Sequence, residues 1–224
     1  MIRIKLPKKV DYYDLQESYL KGIVSCIGFD EKDVLDDSKD TRSVKSRSSA
    51  KKLKDCYPSL YKFLFKDIDT VKRENLRRLL VGPYTMPKSL GGDGEGFRTM
   101  RENLDDIIAN CPFPRGDTRR AKAKEVCNNI FDYRKFTAKK KVSYWLLRKS
   151  DVRVCPYCNR IYTVTLPSKM ELEEGEEFVT TRSTFDHFYS KDEYPYLAVS
   201  LFNLIPSCHF CNMNKGTSEQ ISIS

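Results

Sequence analysis

The chain carries two C-x-x-C pairs, Cys155-Pro-Tyr-Cys158 and Cys208-His-Phe-Cys211, with 49 residues between them. Each pair can form a tight knuckle presenting two thiolates to one ion, and two knuckles complete the tetrahedral sulfur site that structural zinc prefers. Such a site forces the intervening chain to start and end at one point. The separation exceeds the roughly 15–20 residues of common zinc-finger spacing, so the insert must hold structure of its own. Two disulfides, or a thioredoxin-like redox pair, are the alternatives. The first suits an oxidising compartment, and the second needs a βαβ setting that the sequence lacks. His209 lies inside the second knuckle and could replace a cysteine, although the four-thiolate set is complete without it. Cys26, Cys56, Cys111 and Cys127 have no partner in the pattern and read as buried thiols.

At 224 residues the chain can bury one domain or two small ones. An apolar fraction of 40% with 12% aromatics excludes a wholly disordered chain. No apolar run approaches the roughly 18 residues a bilayer span needs, and residues 1–16 lack a signal-peptide apolar core, so a cytoplasmic, non-membrane protein is expected. The net charge of +9 is uneven. Arg115 to Arg153 has 13 basic and 4 acidic residues, Arg42 to Lys66 has 8 and 1, and Pro167 to Glu193 has 3 and 8. Clustered Lys/Arg suits a phosphate backbone, while a solvated basic helix face is the plainer alternative. A membrane surface is the weaker option, because Arg115–Arg153 has no uninterrupted apolar face.

Along the chain, residues 2–6 read as a short strand and Asp11–Cys26 as an amphipathic helix. Glu31–Ser49 reads as a polar loop. Ala50–Phe65 and Thr70–Val81 read as helices, followed by a loop rich in Gly and Pro that lacks the G-K-[ST] ending of a Walker phosphate site. Phe97, Met100, Leu104, Ile107, Ile108 and Cys111 fall on one helix face, which Pro112 and Pro114 terminate. Thr118–Phe131 and Lys135–Leu147 read as two basic helices. After Val152 the pattern changes to short β-like runs, turns and cysteine pairs. The expected fold class is α+β, mainly α: a helical region over 1–151, binding nucleic acid or a partner, and a small metal-dependent module over 152–224.

The insert contains Thr184-Phe-Asp186-His187-Phe188, then Asn203-Leu-Ile-Pro, and the second cysteine pair continues as Asn212-Met-Asn214-Lys215-Gly216. A lone Asp-His pair means little. The ordered set C-x-x-C, D-H, N, C-x-x-C-N-x-x-K-G is specific, and it resembles the HNH endonuclease superfamily with its zinc-stapled ββα-metal fold. The resemblance covers roughly Val152 to Gly216. Its wording is similar to HNH nuclease subunits of bacterial anti-phage loci such as Septu, which work beside a separate ATPase.

The resemblance implies a metal-dependent endonuclease, leaving 5′-phosphate and 3′-hydroxyl ends, with roles residue by residue. His187 matches the general base. Asp186 and Asn212 match the ligands of a catalytic Mg²⁺ or Mn²⁺. Asn203 matches the residue that holds the hairpin and its histidine. Cys155, Cys158, Cys208 and Cys211 match the structural zinc ligands. Hard cations take oxygen ligands, and an imidazole titrating near neutrality can deprotonate a water, so the chemistry is coherent. Adjacent strand residues point opposite ways, so Asp186 and His187 are expected at a strand end, where both could bracket one phosphate. Arg160 and Lys215 are candidate phosphate contacts or exposed surface charges. The alternative is a non-catalytic zinc-stabilised nucleic-acid-binding or scaffold protein. The substrate is expected to be nucleic acid, DNA rather than RNA, and the partner an ATPase subunit.

Overall fold

The computed structural model describes residues 12–29, 44–65, 74–82, 96–138, 140–163, 167–168, 178–179 and 183–215. Helices dominate: α1 (Tyr12–Ile23), α2 (Val44–Cys56), α3 (Pro58–Leu64), α4 (Glu74–Val81), α5 (Gly96–Asn110), α6 (Asp117–Ile130), α7 (Tyr133–Ala138) and α8 (Lys140–Lys149). Their apolar spacing sets which side faces inward. In α5, Leu104 and Ile107 are buried, with Cys111 one turn on, at steps of three and four. In α6 the buried stripe is Ala123, Cys127 and Ile130, while Arg119, Arg120 and Lys122 are exposed. The apolar stripe is small, and the rest of α6 is a solvated, largely basic face.

Three helix boundaries differ from expectation. The single helix expected over Ala50–Phe65 is two helices, α2 and α3. Pro58 has no N–H to continue a helix but a φ suited to starting one, and it stands at the first turn of α3. Helix α2 starts at Val44, inside the stretch expected as a loop. Its polar sequence is helical because Ala50 and Leu53 are buried where α2 packs on α6, a tertiary gain that overrides local propensity. The helical stretch expected over Lys135–Leu147 begins earlier, at Tyr133, and runs on to Lys149, with residue 139 outside the described residues. Asp132 Oδ1 accepts the N–H groups of Arg134 (2.9 Å) and Lys135 (3.0 Å), which starts α7 early. The expected strand over 2–6 lies outside the described residues, as does the Gly- and Pro-rich loop expected from Pro83 to Gly96, except that Gly96 is the first residue of α5.

The strands are short. β1 (Pro167–Ser168) pairs antiparallel with β2 (Phe178–Val179). β3 (Thr184–His187) pairs antiparallel with β4 (Leu204–Ser207), with Asp186 opposite Ile205 and His187 opposite Leu204. Two 3₁₀ turns, Pro195–Leu197 and Leu201–Asn203, lie in the connection, and α9 (His209–Lys215) follows β4.

One apolar cluster joins the helices to this hairpin. It includes Tyr19 and Leu20 of α1, Leu79 and Leu80 of α4, and Tyr196, Leu197, Val199 and Leu204 from the connection and β4. Fully burying such a side chain contributes about 1.5–3 kcal/mol. The segment 195–201 is also hydrogen-bonded into the helices. Tyr19 Oη donates to the Val199 carbonyl (2.8 Å), Tyr196 Oη to Cys111 O (3.2 Å), and Ser200 Oγ to Leu79 O (2.5 Å). These bonds satisfy buried carbonyls that would cost about 1–3 kcal/mol each if left unpaired. After α1 the chain crosses the end of α6 closely, with Gly28 N–H donating to Ile130 O at 2.6 Å. A Cβ at position 28 would lie 3.0 Å from the Ile130 backbone, so any side chain there would have to push the two segments apart by a few tenths of an ångström. Among the described residues no helix is long and apolar enough to cross a membrane.

Candidate functional site

The four cysteines of the two pairs converge, with all Sγ atoms of Cys155, Cys158, Cys208 and Cys211 within 4.8 Å of one another. Tetrahedral zinc with Zn–S bonds of about 2.3 Å requires sulfurs about 3.8 Å apart. The group can therefore hold a metal ion such as zinc with small adjustment. The knuckle geometry explains the convergence. Cys155 N–H donates to Ile161 O (2.8 Å), Asn159 N–H returns to Cys155 O (2.9 Å), and Asn159 takes the left-handed conformation (φ 49°) that tightens the turn. In the second knuckle Cys211 N–H points at Cys208 Sγ (3.4 Å). The backbone N–H groups of Ile161 and Arg160 hold the Cys158 thiol down to about 7, whereas burial and the neighbouring thiols push Cys208 and Cys211 up. Four thiols this close cannot all ionise without a cation among them, which is the chemistry of a metal site. His209 is exposed and is not one of the converging ligands.

Helix α9 starts directly after Cys208 and lies against β3. Its Asn212 and Lys215, three residues apart on one face, both reach that strand. Asn212 Nδ2 donates to Thr184 Oγ1 (3.1 Å) and to Phe185 O (3.2 Å). Because a carbonyl only accepts, this contact fixes the amide orientation, and no described residue donates to Asn212 Oδ1. Lys215 Nζ donates to Asp186 Oδ2 and to His187 O, both at 2.7 Å. The side chains of this ion pair are only 5% and 6% exposed. Lys215 is thus buried rather than a surface charge, and it faces a carboxylate. Tyr157, inside the first knuckle, also donates its Oη to Asp186 Oδ2.

His187 is the last residue of β3, but Asp186 remains paired in the ladder beside it. Their side chains therefore leave opposite faces, and the expected bracketing of one phosphate by the two is not the arrangement found. Asp186 meets Tyr157 and Lys215. His187 meets Tyr133 of α7, whose ring stands edge-on at 4.7 Å. His187 Nε2 lies 2.9 Å from Ala198 O, so Nε2 carries the proton and Nδ1 keeps its lone pair. Nδ1 has no hydrogen-bond partner among the described residues. Burial, helped by Lys191 and Lys215 and opposed by the Ala198 carbonyl and Asp186, lowers the imidazole to about 4. At neutral pH the ring is uncharged.

Asn203 is fully buried and holds the loop that carries these contacts. Its Oδ1 accepts Tyr189 N–H (2.8 Å), and its Nδ2 donates to Tyr189 O (3.1 Å) and Leu197 O (2.9 Å). The amide thereby fastens the chain just after His187 to the turn just before Ala198, fixing the carbonyl that sets the imidazole tautomer. Arg160 is exposed beside the first knuckle.

A cavity of about 320 Å³ opens beside His187. Its walls include His187, Asn212, Tyr133, Thr137, Ser183 and Lys191. Tyr133, Thr137 and Lys191 had no signal in the sequence. Tyr133 and Thr137 belong to a helix 50 residues or so upstream and reach the site only because aromatic contacts Tyr19–Phe136 (6.1 Å) and Phe136–Phe185 (5.7 Å) seat α7 between α1 and β3. Tyr157 was visible as a residue of the knuckle, but its bond to Asp186 was not. Compared with known proteins, the chain matches no family model, no curated protein and no solved structure.

Proposed function

We propose that this protein is an HNH-type endonuclease that hydrolyses phosphodiester bonds of nucleic acid, with His187 as the general base. The observation that carries the reading is the state of His187: buried, neutral, held through Nε2 by Ala198 O, and lining a cavity with Nδ1 unpartnered among the described residues. A general base must be deprotonated at working pH and fixed in one tautomer, and both conditions hold here, although an imidazole titrating near 4 is a weaker base than the near-neutral one expected from the sequence. Asn203 supplies the positioning. The four-cysteine group, taken as a zinc site, anchors α9 and the hairpin, and the exposed basic residues of α6, Arg119, Arg120 and Lys122, suit a polyanion.

The resemblance also implies Mg²⁺ or Mn²⁺ between Asp186 and Asn212. Asn212 Oδ1 is available for it, but Asp186 Oδ2 is engaged by Lys215 and Tyr157, and Asp186 does not line the cavity. In this arrangement the two do not form a cation site, so the divalent ion belongs to the proposal only with Lys215 withdrawn from Asp186. The ATPase partner, the anti-phage role and the preference for DNA rest on the sequence resemblance and charge alone, and the cytoplasmic location on the apolar pattern of the sequence alone.

The buried Asp186–Lys215 pair favours a second reading, in which the module is a zinc-stabilised nucleic-acid-binding scaffold without catalysis. Incubation with supercoiled plasmid in Mg²⁺ and in Mn²⁺ separates the two. The nuclease yields nicked or linear DNA with 5′-phosphate and 3′-hydroxyl ends. Retention of DNA in a mobility shift with no cleavage in either metal would establish the scaffold instead.

A further inference from the structure

The cavity beside His187 has a chemistry of its own. Four of its five hydroxyls donate to backbone carbonyls: Tyr133 Oη to Phe185 O (3.3 Å), Thr137 Oγ1 to Tyr133 O and Arg134 O as a shared bond (both 3.1 Å), Ser183 Oγ to Thr163 O (2.9 Å) and Thr184 Oγ1 to Ser207 O (3.2 Å). With their hydrogens so directed, these oxygens can offer a ligand only lone pairs. Asn212 Oδ1 adds one more acceptor, and His187 Nδ1 at the cavity wall is left for the water it deprotonates. No carboxylate lines the cavity, and Leu147, Phe185 and the Tyr133 ring supply apolar wall. The one cation, Lys191, is an exposed residue of the lining.

Away from Lys191 and His187, this lining is wrong for a phosphate, which needs donors, and wrong for a hard cation, which takes charged oxygen ligands. It suits a neutral, flat group that carries N–H donors. The volume lies at the low end of small-ligand pockets, roughly 300–1,000 Å³, so it accommodates one nucleoside-sized group and no longer stretch of strand. We propose that the cavity takes one unpaired nucleobase, its amino or imino N–H groups facing the acceptor lining and its ring against Tyr133, while Lys191 meets the adjoining phosphate. A paired base in a duplex cannot enter, because its donors are in use and its faces are stacked. The proposal rests on the nuclease reading and deepens it: the substrate is single-stranded nucleic acid, or a duplex with an unpaired nucleotide at the cut.

The test is a binding measurement on the zinc-loaded full chain with no Mg²⁺ or Mn²⁺ added. Fluorescence anisotropy compares a cytosine pentanucleotide with a five-residue abasic chain carrying the same phosphates. Removal of the bases should weaken binding about five- to one-hundredfold, the range expected from losing one stacked base. DNA and RNA pentanucleotides run in parallel tell the two sources of a base apart. Thr137→Phe fills the cavity and should abolish the difference between base-bearing and abasic chains, while Lys191→Ala should weaken both chains alike. Photocross-linking with 5-iodocytosine should label Tyr133 in the unmodified protein, which keeps the test independent of how Thr137→Phe folds. Equal binding of the two chains, a folded Thr137→Phe protein that keeps the difference, or cross-links that avoid the cavity residues would overturn the proposal. Base-dependent binding in a protein that cleaves nothing would sink the nuclease reading alone.

Discussion

His187 shows how one side chain can couple stability to a proposed function. Burial leaves its imidazole titrating near 4 rather than near its ordinary 6.5. Between those values the unfolded chain binds a proton that the folded chain refuses, so stability rises with pH through that window and is progressively lost as pH falls through it. The loss is on the order of 2 kcal/mol at pH 5. Urea unfolding at pH 7.5 and pH 5 should show this difference in the wild type and not in His187→Phe, and identical pH dependence in both would exclude it. The Asp186–Lys215 pair makes a second residue-scale prediction. Lys215→Met strands a buried carboxylate and should cost about 3–5 kcal/mol, whereas Asp186→Asn with Lys215→Met should recover most of that loss. A single variant as stable as the double would mean that the pair is solvated. Much of this chemistry was legible in the sequence: the cysteine pairs, Asp186-His187, Asn203 and Asn212 stand in a specific order. The ion pair was not, because spacing alone does not say which face of α9 docks on β3, nor that Asp186 would stay in the ladder.

At the scale of elements, the four-cysteine group governs α9. A helix of seven residues cannot persist alone, since helix nucleation is costly and few bonds follow it. Its N-terminus is fixed by Cys208 and Cys211, and its far turn by Asn212 and Lys215 on β3. Pure protein should contain about one zinc per chain, as a single four-thiolate site requires. Removing it with a chelator should lower the melting temperature and expose four reactive thiols in this module. A metal-free protein with an unchanged melting curve would contradict the assignment. Helices with clean apolar spacing, α5 above all, were readable in advance. Helix α2 was not, because its polar run is helical only through packing on α6, and the break at Pro58 shows a local rule prevailing over a long periodic stretch.

Over the whole molecule, the hairpin and the helices share one core. Tyr196, Leu197 and Val199 are buried in the same cluster as Tyr19, Leu20 and Leu79, and Tyr19 and Ser200 bond across the junction. Residues 152–224 expressed alone should therefore fail to fold cooperatively even with zinc bound, giving a poorly dispersed NMR spectrum. A well-dispersed spectrum would make that segment an independent domain. The change of pattern after Val152 was legible in the sequence, but the long-range burial of 195–204 was not, because it leaves no periodic trace in so short a segment. The same packing brings Tyr133 and Thr137 to the cavity at His187, so the helices furnish part of the proposed active site as well as a basic surface. The most direct measurement is single-turnover plasmid cleavage by the wild type and by His187→Ala, with zinc content, melting temperature and DNA binding checked for both. Loss of a general base should slow cleavage about 10²- to 10⁴-fold while the other three properties persist; a His187→Ala protein that cuts at the wild-type rate would remove His187 from the chemistry and the proposed mechanism with it.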